Sequence, residues 1–411
     1  MKRRNFIKNT ISTAGLISFP NLILGNNKEV NFALGGWAVD SMQKIINELE
    51  FTKETGIKVN ILKRPGDADF ASKMLGAFQA NTSPYDIFDD SDASTQFIGS
   101  GFIEPLDDLL PKNFWDDWPK EMMSMVNIWA KHKGETFRIH HNYEAQYTWY
   151  RKDIFDKKGI SPPKTWDEQK EMGAIFTNEN NGIWATSDGM LPNFFAVYLG
   201  YITNQAGGNK HDVGEEYATA LQYIYDLMYK YKTLNPASLQ KNYDQQNSDY
   251  TSNRIMYMRQ WPFFYDVSRS NKDWFSEEKV EVALPPIGPG GKSMSTYAAG
   301  WGWVIPKTAP KKDAAKELMK WLVDKDNAAK MVDYSVWYLS SRKSVLKRAG
   351  SKGLAGYLKL YSDEGVISAR PYHPKFNQAK NILEEEAGAF LTKQKSLKET
   401  LTDSKNRLEY M

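Results

Sequence analysis

The sequence contains no cysteine, and this absence excludes several kinds of chemistry. Disulfide bonds, thiolate metal ligands and cysteine nucleophiles all need a thiol. The lipid-modified cysteine that anchors many exported proteins is missing as well. If the chain is exported, we therefore expect a soluble product.

The sequence is also short of net charge and of long hydrophobic segments. Its 53 lysines and arginines and 50 acids give a formal charge of +3. Four of the cations, but no acid, stand in residues 1–26, so the remaining chain carries a formal charge of about −1. This near-neutral body gives no electrostatic reason to expect nucleic-acid binding. No apolar run after residue 25 is long enough to span a bilayer.

Residues 1–26 are typical of an export signal. A basic start is followed by the mostly apolar segment Thr10–Gly25, and the segment Arg3–Lys8 resembles the twin-arginine type. We therefore predict a periplasmic protein.

The remaining sequence predicts an α/β protein with two domains, because 411 residues exceed a single compact core. A strand at Val30–Leu34, a helix with apolar residues at helical spacing and a strand at Ile57–Ile61 form a βαβ opening. In open α/β sheets ligands bind beyond the C-terminal ends of the strands. The 13 tryptophans and 22 tyrosines suit a site for a flat, polar molecule, although ordinary packing accounts for most of them.

Short motifs in a shared order resemble the bacterial extracellular solute-binding proteins of ABC importers, in the carbohydrate-binding branch that includes maltose-binding protein. The motifs are Phe51–Val59, Tyr85–Phe88, Gly101–Asp108, Trp149–Phe155, Pro162–Glu168, Leu284–Gly288, Gly300–Trp303 and Ser340–Val345. The resemblance implies a two-lobed fold of the periplasmic-binding-protein type II, with three interlobe crossings. It implies no enzymatic activity, cofactor or metal.

The resemblance also implies the lobes and the partners. We expect an N-terminal lobe of residues 27–139 plus 287–330 and a C-terminal lobe of residues 140–286 plus 331–411. The cargo would be a sugar or small oligosaccharide held between the lobes. The protein would act as a monomer and deliver this cargo to membrane permease subunits.

Three tryptophans are the first candidates for stacking on a sugar. In the strand Gly300-Trp-Gly-Trp303 the two indoles share one face and the glycines the other, so the backbone at Gly300 would be open to a ligand. Trp301 resembles the cleft tryptophan of the family, and we assign Trp303 to the core. Trp261, after a strand, also matches a cleft aromatic, and Trp37 follows a strand and two glycines. A core position is the alternative for each.

Polar candidates complete the predicted site. Asp90 aligns with the sugar-binding acid of the family, and Glu144, with Asn142 beside it, lies where relatives place another polar contact. Arg64 and Arg370 are expected to bind sugar hydroxyls or these acids. Structural salt bridges or solvated loop positions are the alternatives.

Other functions stay open from the sequence. Clustered acids favour a polyamine and the arginines favour an anion such as a glycerol phosphate, whereas both together fit a neutral sugar or polyol. A periplasmic glycoside hydrolase is disfavoured because Asp90 and Glu144 would lie on opposite lobes, where their separation changes with closure. The pair His140-His141 does not predict a metal site, since neighbouring strand residues point to opposite faces.

Overall fold

The computed structural model describes residues 29–91, 95–270, 276, 279–291, 294, 296–350, 367–370, 373 and 375–411. The predicted export signal lies outside the described residues. The strands are β1 (Glu29–Leu34), β2 (Lys58–Lys63), β3 (Ile87–Ser91), β4 (Lys131–His132), β5 (Glu135–Thr136), β6 (Ile139–Ala145), β7 (Tyr147–Arg151), β8 (Trp184–Thr186), β9 (Ile255–Gln260), β10 (Val280–Ala283), β11 (Thr296–Val304) and β12 (Ile367–Ala369).

Helices cover these strands, as the alternating sequence pattern predicts. They are α1 (Val39–Glu48), α2 (Phe51–Thr55), α3 (Asp67–Gln79), α4 (Thr95–Gly99), α5 (Met123–Trp129), α6 (Lys152–Lys158), α7 (Trp166–Phe176), α8 (Phe195–Gln205), α9 (Glu215–Tyr229), α10 (Tyr243–Thr251), α11 (Phe264–Ser270), α12 (Lys312–Val323), α13 (Lys325–Met331), α14 (Lys343–Gly350), α15 (Phe376–Leu391) and α16 (Leu397–Glu409). None of the helices in the described part of the chain is long and apolar enough to cross a membrane.

The strands form two main sheets. In the described residues the first sheet has the order β12-β11-β3-β1-β2, and β6 pairs with the other side of β11. Strands β1, β2 and β3 are parallel, whereas β11 runs antiparallel to β3 and β6. The second sheet has the order β10-β7-β9-β8. The C-terminal ends of β1, β2 and β3 therefore lie side by side at the same end of the first sheet.

Each sheet has its own hydrophobic packing. The first is covered by α1 and α12, whose apolar faces join one core, and α12 buries Ala314, Ala315, Leu318, Met319 and Leu322. Helices α8, α9 and α15 contribute to a second core, and β7 and β9 to a third beside it. The structure therefore has the expected two-lobed α/β arrangement.

Within the described residues, the chain passes between the two lobes at three places that match the expected crossings. It leaves the first sheet where β6 leads into β7 at residues 145–147 and returns between β10 and β11. The third passage follows α13, where Met331 and Trp337 join the first core and Val332 and Val336 join the packing around the second sheet. The lobe boundary expected between residues 139 and 140 falls at the start of β6 and stays a prediction.

Candidate functional site

Three tryptophan rings and one guanidinium meet beside the C-terminal ends of β1 and β2. The ring of Trp37 makes edge contacts with Trp301 and Trp337, each with centroids 5.6 Å apart. Trp301 and Trp337 lie 5.5 Å apart. The guanidinium carbon of Arg64 is 5.6 Å from the ring centroid of Trp37 and 5.0 Å from that of Trp301. We call Trp37, Trp301 and Trp337 the indole cluster.

Trp37 is the exposed member of the indole cluster, with 55% of its surface accessible. Its ring folds back over the chain: a Cβ added to Gly35 would lie 2.3 Å from the indole, and one on Gly36 would lie 2.7 Å from Cε of Lys63. Gly35 is therefore needed for the close approach of the indole, whereas the flexible end of Lys63 could move away from a side chain at Gly36. The result is a flat apolar surface supported by backbone from behind, which suits stacking on a ring-shaped ligand.

The side chain of Arg64 is held in place by a buried carboxylate. Its Nε donates a hydrogen bond to Oδ1 of Asp89 at 2.7 Å, and Nη1 donates to the carbonyl of Pro65 at 3.2 Å. The other carboxylate oxygen of Asp89 accepts the N–H of Gly35 at 3.3 Å. One buried aspartate thus fixes both the guanidinium and the glycine loop that carries Trp37.

Sequence reasoning missed Trp337, the third member of the indole cluster. It lies in a 3₁₀ turn, Val336–Tyr338, on the third passage between the sheets. Nδ2 of Asn142 donates to its carbonyl at 3.0 Å, so the predicted site residue Asn142 is buried and positions this turn. The sequence feature that could have identified Trp337 is an aromatic pair in an interlobe crossing, directly before the Ser340–Val345 motif.

The turn that carries Trp337 is also tied to the second sheet's packing. Oδ2 of Asp266, on α11, accepts hydrogen bonds from Oγ of Ser335 at 2.8 Å and from the N–H of Val336 at 3.0 Å. Helix α11 starts three residues after Trp261. The position of Trp337 therefore depends on contacts from both lobes.

The glycine face of β11 is not open to a ligand, contrary to the expectation from sequence. A Cβ on Gly300 would lie 2.5 Å from the His140 ring, and one on Gly302 would lie 2.4 Å from Cγ of Arg138. The glycines make room for a side chain of the neighbouring strand β6 and for Arg138, directly before that strand. Trp303 is buried as predicted, whereas Trp301 is half-buried at the margin of the same core.

Asp90 lies on β3 beside this site, but its carboxylate is enclosed. Oδ2 of Asp90 accepts a hydrogen bond from Nη2 of Arg138, and both side chains are almost fully buried. Arg138 also donates to the carbonyls of Trp129 at 2.7 Å and Ser91 at 3.0 Å. Asp90 therefore has a structural role here, and direct sugar contact stays a prediction.

Trp261 lies at the C-terminal end of β9 in the second sheet and packs with a different cluster. It is 7% exposed, its Nε1 donates to the hydroxyl of Tyr243 at 3.3 Å, and its ring meets the Tyr297 ring edge-on at 6.4 Å. Its hydrophobic contacts belong to the second core, whereas those of Trp301 belong to the first. The structure thus places the two predicted stacking residues on different lobes, and a cargo role for Trp261 stays a prediction.

A second buried ion pair, missed from the sequence, lies near Trp261. Nε of Arg259 donates to Oδ2 of Asp188 at 2.9 Å, and its guanidinium carbon is 5.5 Å from the Tyr243 ring centroid. Burial raises the pKa of Asp188, and the charge of Arg259 opposes that shift. The pair therefore forms a fixed, internally neutral unit at the end of β9.

The remaining predicted residues lie along β11. The backbone N–H of Arg370 donates to the carbonyl of Ala298 at 2.8 Å, and its guanidinium carbon is 5.9 Å from the Tyr297 ring centroid. Glu144 pairs through its backbone with Ala299, while its side chain lies outside the described part of the structure. Arg370 thus lies toward the second lobe, beside the long strand that carries Trp301.

The histidine pair is arranged as expected from a strand. The ring of His141 stacks on Trp303 with centroids 4.6 Å apart, whereas His140 faces Gly300 on the other side of β6. Burial lowers the pKa of His141 to about 3, so this ring is neutral at pH 7. Within the described ranges, no group of three or more histidines and acids is placed to hold a metal ion.

The family model for bacterial extracellular solute-binding proteins matches residues 35–329, which is most of the chain. The protein belongs to this family. Among relatives, it is 28% identical to the diacetylchitobiose binding protein NgcE of Streptomyces coelicolor over 146 residues, 34% of this chain and 29% of that protein. It is 24% identical to a putative binding protein of Brucella abortus over 243 residues, 57% of each chain. The chain therefore spans between about a third and three fifths of these relatives' lengths.

Solved structures share the fold across nearly the whole chain. An ABC transporter solute-binding protein of Thermotoga lettingae bound with α-D-tagatose has a TM-score of 0.80 at 21% identity, covering 93% of this chain and 99% of that one. A solute-binding protein of Agrobacterium vitis with bound D-mannitol has a TM-score of 0.73 at 19% identity, covering 93% and 97%. At these identities the likeness establishes the two-lobed fold.

Proposed function

We propose that this protein is the substrate-binding component of an ABC importer that captures a sugar or small oligosaccharide between its lobes. The observation that carries the proposal is the half-exposed ring of Trp37, set against Trp301, Trp337 and Arg64 at the C-terminal ends of the first sheet. Ligands of open α/β sheets bind at this edge. The sugar-bound and polyol-bound proteins of the same fold support this class of cargo.

The chemistry of the indole cluster suits a pyranose. A sugar presents apolar C–H faces and a rim of hydroxyls, which match indole planes and charged or amide groups respectively. Stacking one face buries roughly 100 Å² of apolar surface, worth about 2.5 kcal/mol. Trp37 and Trp301 would provide the planes, and Arg64 would donate to hydroxyls.

The other predicted residues would complete the site as the lobes close. Trp261 and Arg370 would contact the cargo from the second lobe. Glu144 would contact it from the end of β6, next to the first crossing between the lobes. Asn142 would act by positioning the Trp337 turn, for which its hydrogen bond to the Trp337 carbonyl is support. Gly300 would act by admitting the His140 ring behind β11.

Export and delivery follow from family membership as proposals. The family is extracellular, which supports export. The segment Arg3–Lys8 supports the twin-arginine route, and the lack of cysteine supports a soluble periplasmic product, which would act as a monomer. It would release its cargo to the membrane permease subunits. No bond of the cargo would be broken, because Asp90 is paired with a buried guanidinium and is poorly suited to donate a proton.

A polyol is the second candidate cargo, supported by the mannitol-bound protein of the same fold. A linear polyol presents less flat apolar surface than a pyranose, so it would depend less on the exposed ring of Trp37. Glycerol phosphate or a polyamine would depend mainly on charge. Titrating all four classes separates these alternatives.

Isothermal titration calorimetry of the purified protein against mono-, di- and trisaccharides and polyols tests the proposal. We expect micromolar binding of at least one carbohydrate, and roughly 30-fold weaker binding by Trp37→Ala because about 2 kcal/mol of stacking is lost. Trp115→Ala is the matched control, since Trp115 packs on Phe114 and Lys131. The sugar assignment fails if no carbohydrate or polyol binds, or if both variants lose affinity equally.

A further inference from the structure

Three buried aspartates near the predicted site are neutralised inside the protein. Each of them accepts hydrogen bonds from a buried guanidinium. The pairs are Arg64–Asp89, Arg138–Asp90 and Arg259–Asp188. A closed pair contributes little net charge to a ligand beside it. The net charge that a cargo meets in the cleft is therefore determined by charged groups outside these three pairs.

Arg370 is such a group. Its guanidinium carbon lies 5.9 Å from the ring centroid of Tyr297 and 5.4 Å from that of Phe376. Its buried Nε has no hydrogen-bond partner, and no carboxylate of the described residues forms a salt bridge with it. A buried guanidinium N–H without an acceptor is costly unless a ligand supplies one.

A second cation lies against the same two rings. Nζ of Lys210 is 5.7 Å from the Tyr297 centroid and 5.6 Å from the Phe376 centroid. Lys210 is buried and donates to the carbonyl of Ala196 at 2.7 Å. Burial, and then the charge of Arg370, lowers its pKa to about 7, while Glu384 acts in the opposite sense. The positive charges of Lys210 and Arg370 are therefore not fully balanced by negative charge nearby.

The two cations and the indole cluster lie along one face of β11. Tyr297 and Trp301 are four residues apart on this strand, so their side chains point to the same side. At about 3.3 Å per residue they are separated by roughly 13 Å. Arg370 lies over the first ring and Arg64 over the second. A saccharide of two or three units spans such a distance, with one end on the indoles and the other at Arg370.

We propose that the cargo is an acidic saccharide whose carboxylate is bound by Arg370, with Lys210 strengthening the positive field beneath it. The inference rests on the proposed function and narrows it to uronate-type sugars. A planar guanidinium fork matches a carboxylate. Lys210 is buried and already donates to the carbonyl of Ala196, so one guanidinium remains to meet the ligand, which fits a monoanion better than a phosphate dianion.

Calorimetric titration with paired probes tests this inference. Di- and trisaccharides of galacturonate and glucuronate are compared with the neutral galactose and glucose oligomers of the same linkage, on the wild type and on Arg370→Gln. We expect the acidic member of at least one pair to bind roughly tenfold or more tightly, since a charge-assisted hydrogen bond is gained. Arg370→Gln should bring the affinities for the acidic and neutral members of that pair to within about twofold of each other.

Two further variants make the result specific. Arg370→Lys keeps the charge without the fork and should retain part of the preference. Arg269→Gln removes an exposed arginine that also lies over a tyrosine, 5.1 Å from the Tyr265 ring, and should leave the preference intact. Circular dichroism of each variant verifies that it is folded.

The outcomes separate the inference from the proposed function. If neutral oligomers bind as tightly as their acidic counterparts, or if the acidic preference survives in Arg370→Gln, the inference is overturned while sugar binding stands. A preference for sulfated over uronate disaccharides also overturns the carboxylate assignment. Absence of binding by every carbohydrate overturns both.

Discussion

Removing Arg138 from its buried pair with Asp90 should cost the first lobe much of its stability. The Arg138→Met substitution keeps an unbranched apolar stem of similar length beside Gly302, where Cγ of the arginine now packs. It leaves the Asp90 carboxylate buried without its guanidinium. Breaking one partner of a buried pair costs about 3–5 kcal/mol, because an uncompensated charge stays in a poorly solvating environment.

Urea unfolding followed by tryptophan fluorescence measures this cost. With a slope of about 3 kcal/mol per molar urea, the midpoint should fall by roughly 1–1.7 M. The double variant Arg138→Met with Asp90→Leu removes both charges and should recover a large part of the loss. Lys53→Met is the control, because it breaks an exposed pair with Glu50 that is worth at most about 1 kcal/mol.

A midpoint for Arg138→Met within about 0.2 M of the wild type would contradict the view that this pair carries stability. The reasoning also fails if the double variant is less stable than Arg138→Met alone. Sugar affinity, measured under conditions where each variant is folded, then reports separately on Asp90. A loss of affinity in Asp90→Asn well beyond that in Arg138→Met would favour direct contact between Asp90 and the cargo.

Two further predictions concern pH and the third crossing. Burial lowers the pKa of His141 to about 3. Between pH 6.5 and 3 the unfolded chain therefore binds a proton that the folded chain does not. The free energy of unfolding should consequently fall by up to about 1.4 kcal/mol for each pH unit of acidification in this range. Urea midpoints at pH 7 and 5 should show a smaller drop for His141→Phe than for the wild type, and equal drops would refute the assignment. Asp266→Ala removes the acceptor for Ser335 and Val336, so calorimetry should show roughly tenfold weaker sugar binding as the Trp337 turn loosens; unchanged affinity would show that the turn is held by other contacts.

Local patterns were sufficient to predict the framework. The spacing of apolar residues in α12 places Leu318, Met319 and Leu322 in the core, and all are buried. The sequence also displays a capping-box pattern, Ser396 followed three residues later by Glu399, and the box is present at the start of α16. These features depend on residues a few positions apart, and the sequence displays such relations directly.

Long-range pairing could not be predicted in the same way. Asp90 was expected to face the cargo, but its buried partner Arg138 is 48 residues away and becomes visible only when β3, β11 and β6 are side by side. Gly300 and Gly302 indicate close approach correctly, yet the approaching groups are a side chain of β6 and Arg138, directly before that strand. A missing side chain indicates that something must fit, but it does not identify the neighbour.

The register of β6 explains why Trp301 lies at the meeting point of the site. Trp301 pairs with Asn142 and Gly302 pairs with His140, so β6 has one extra residue, His141, between these two positions. A bulge of this kind bends a strand and redirects its side chains. On its other edge, β11 pairs with β12 through Ala298 and with β3 from Trp301 onward. Trp301 therefore stands where β11 gains β3 as a neighbour on one edge and where its register with β6 shifts on the other, so a cargo stacked there would contact β11 at this junction.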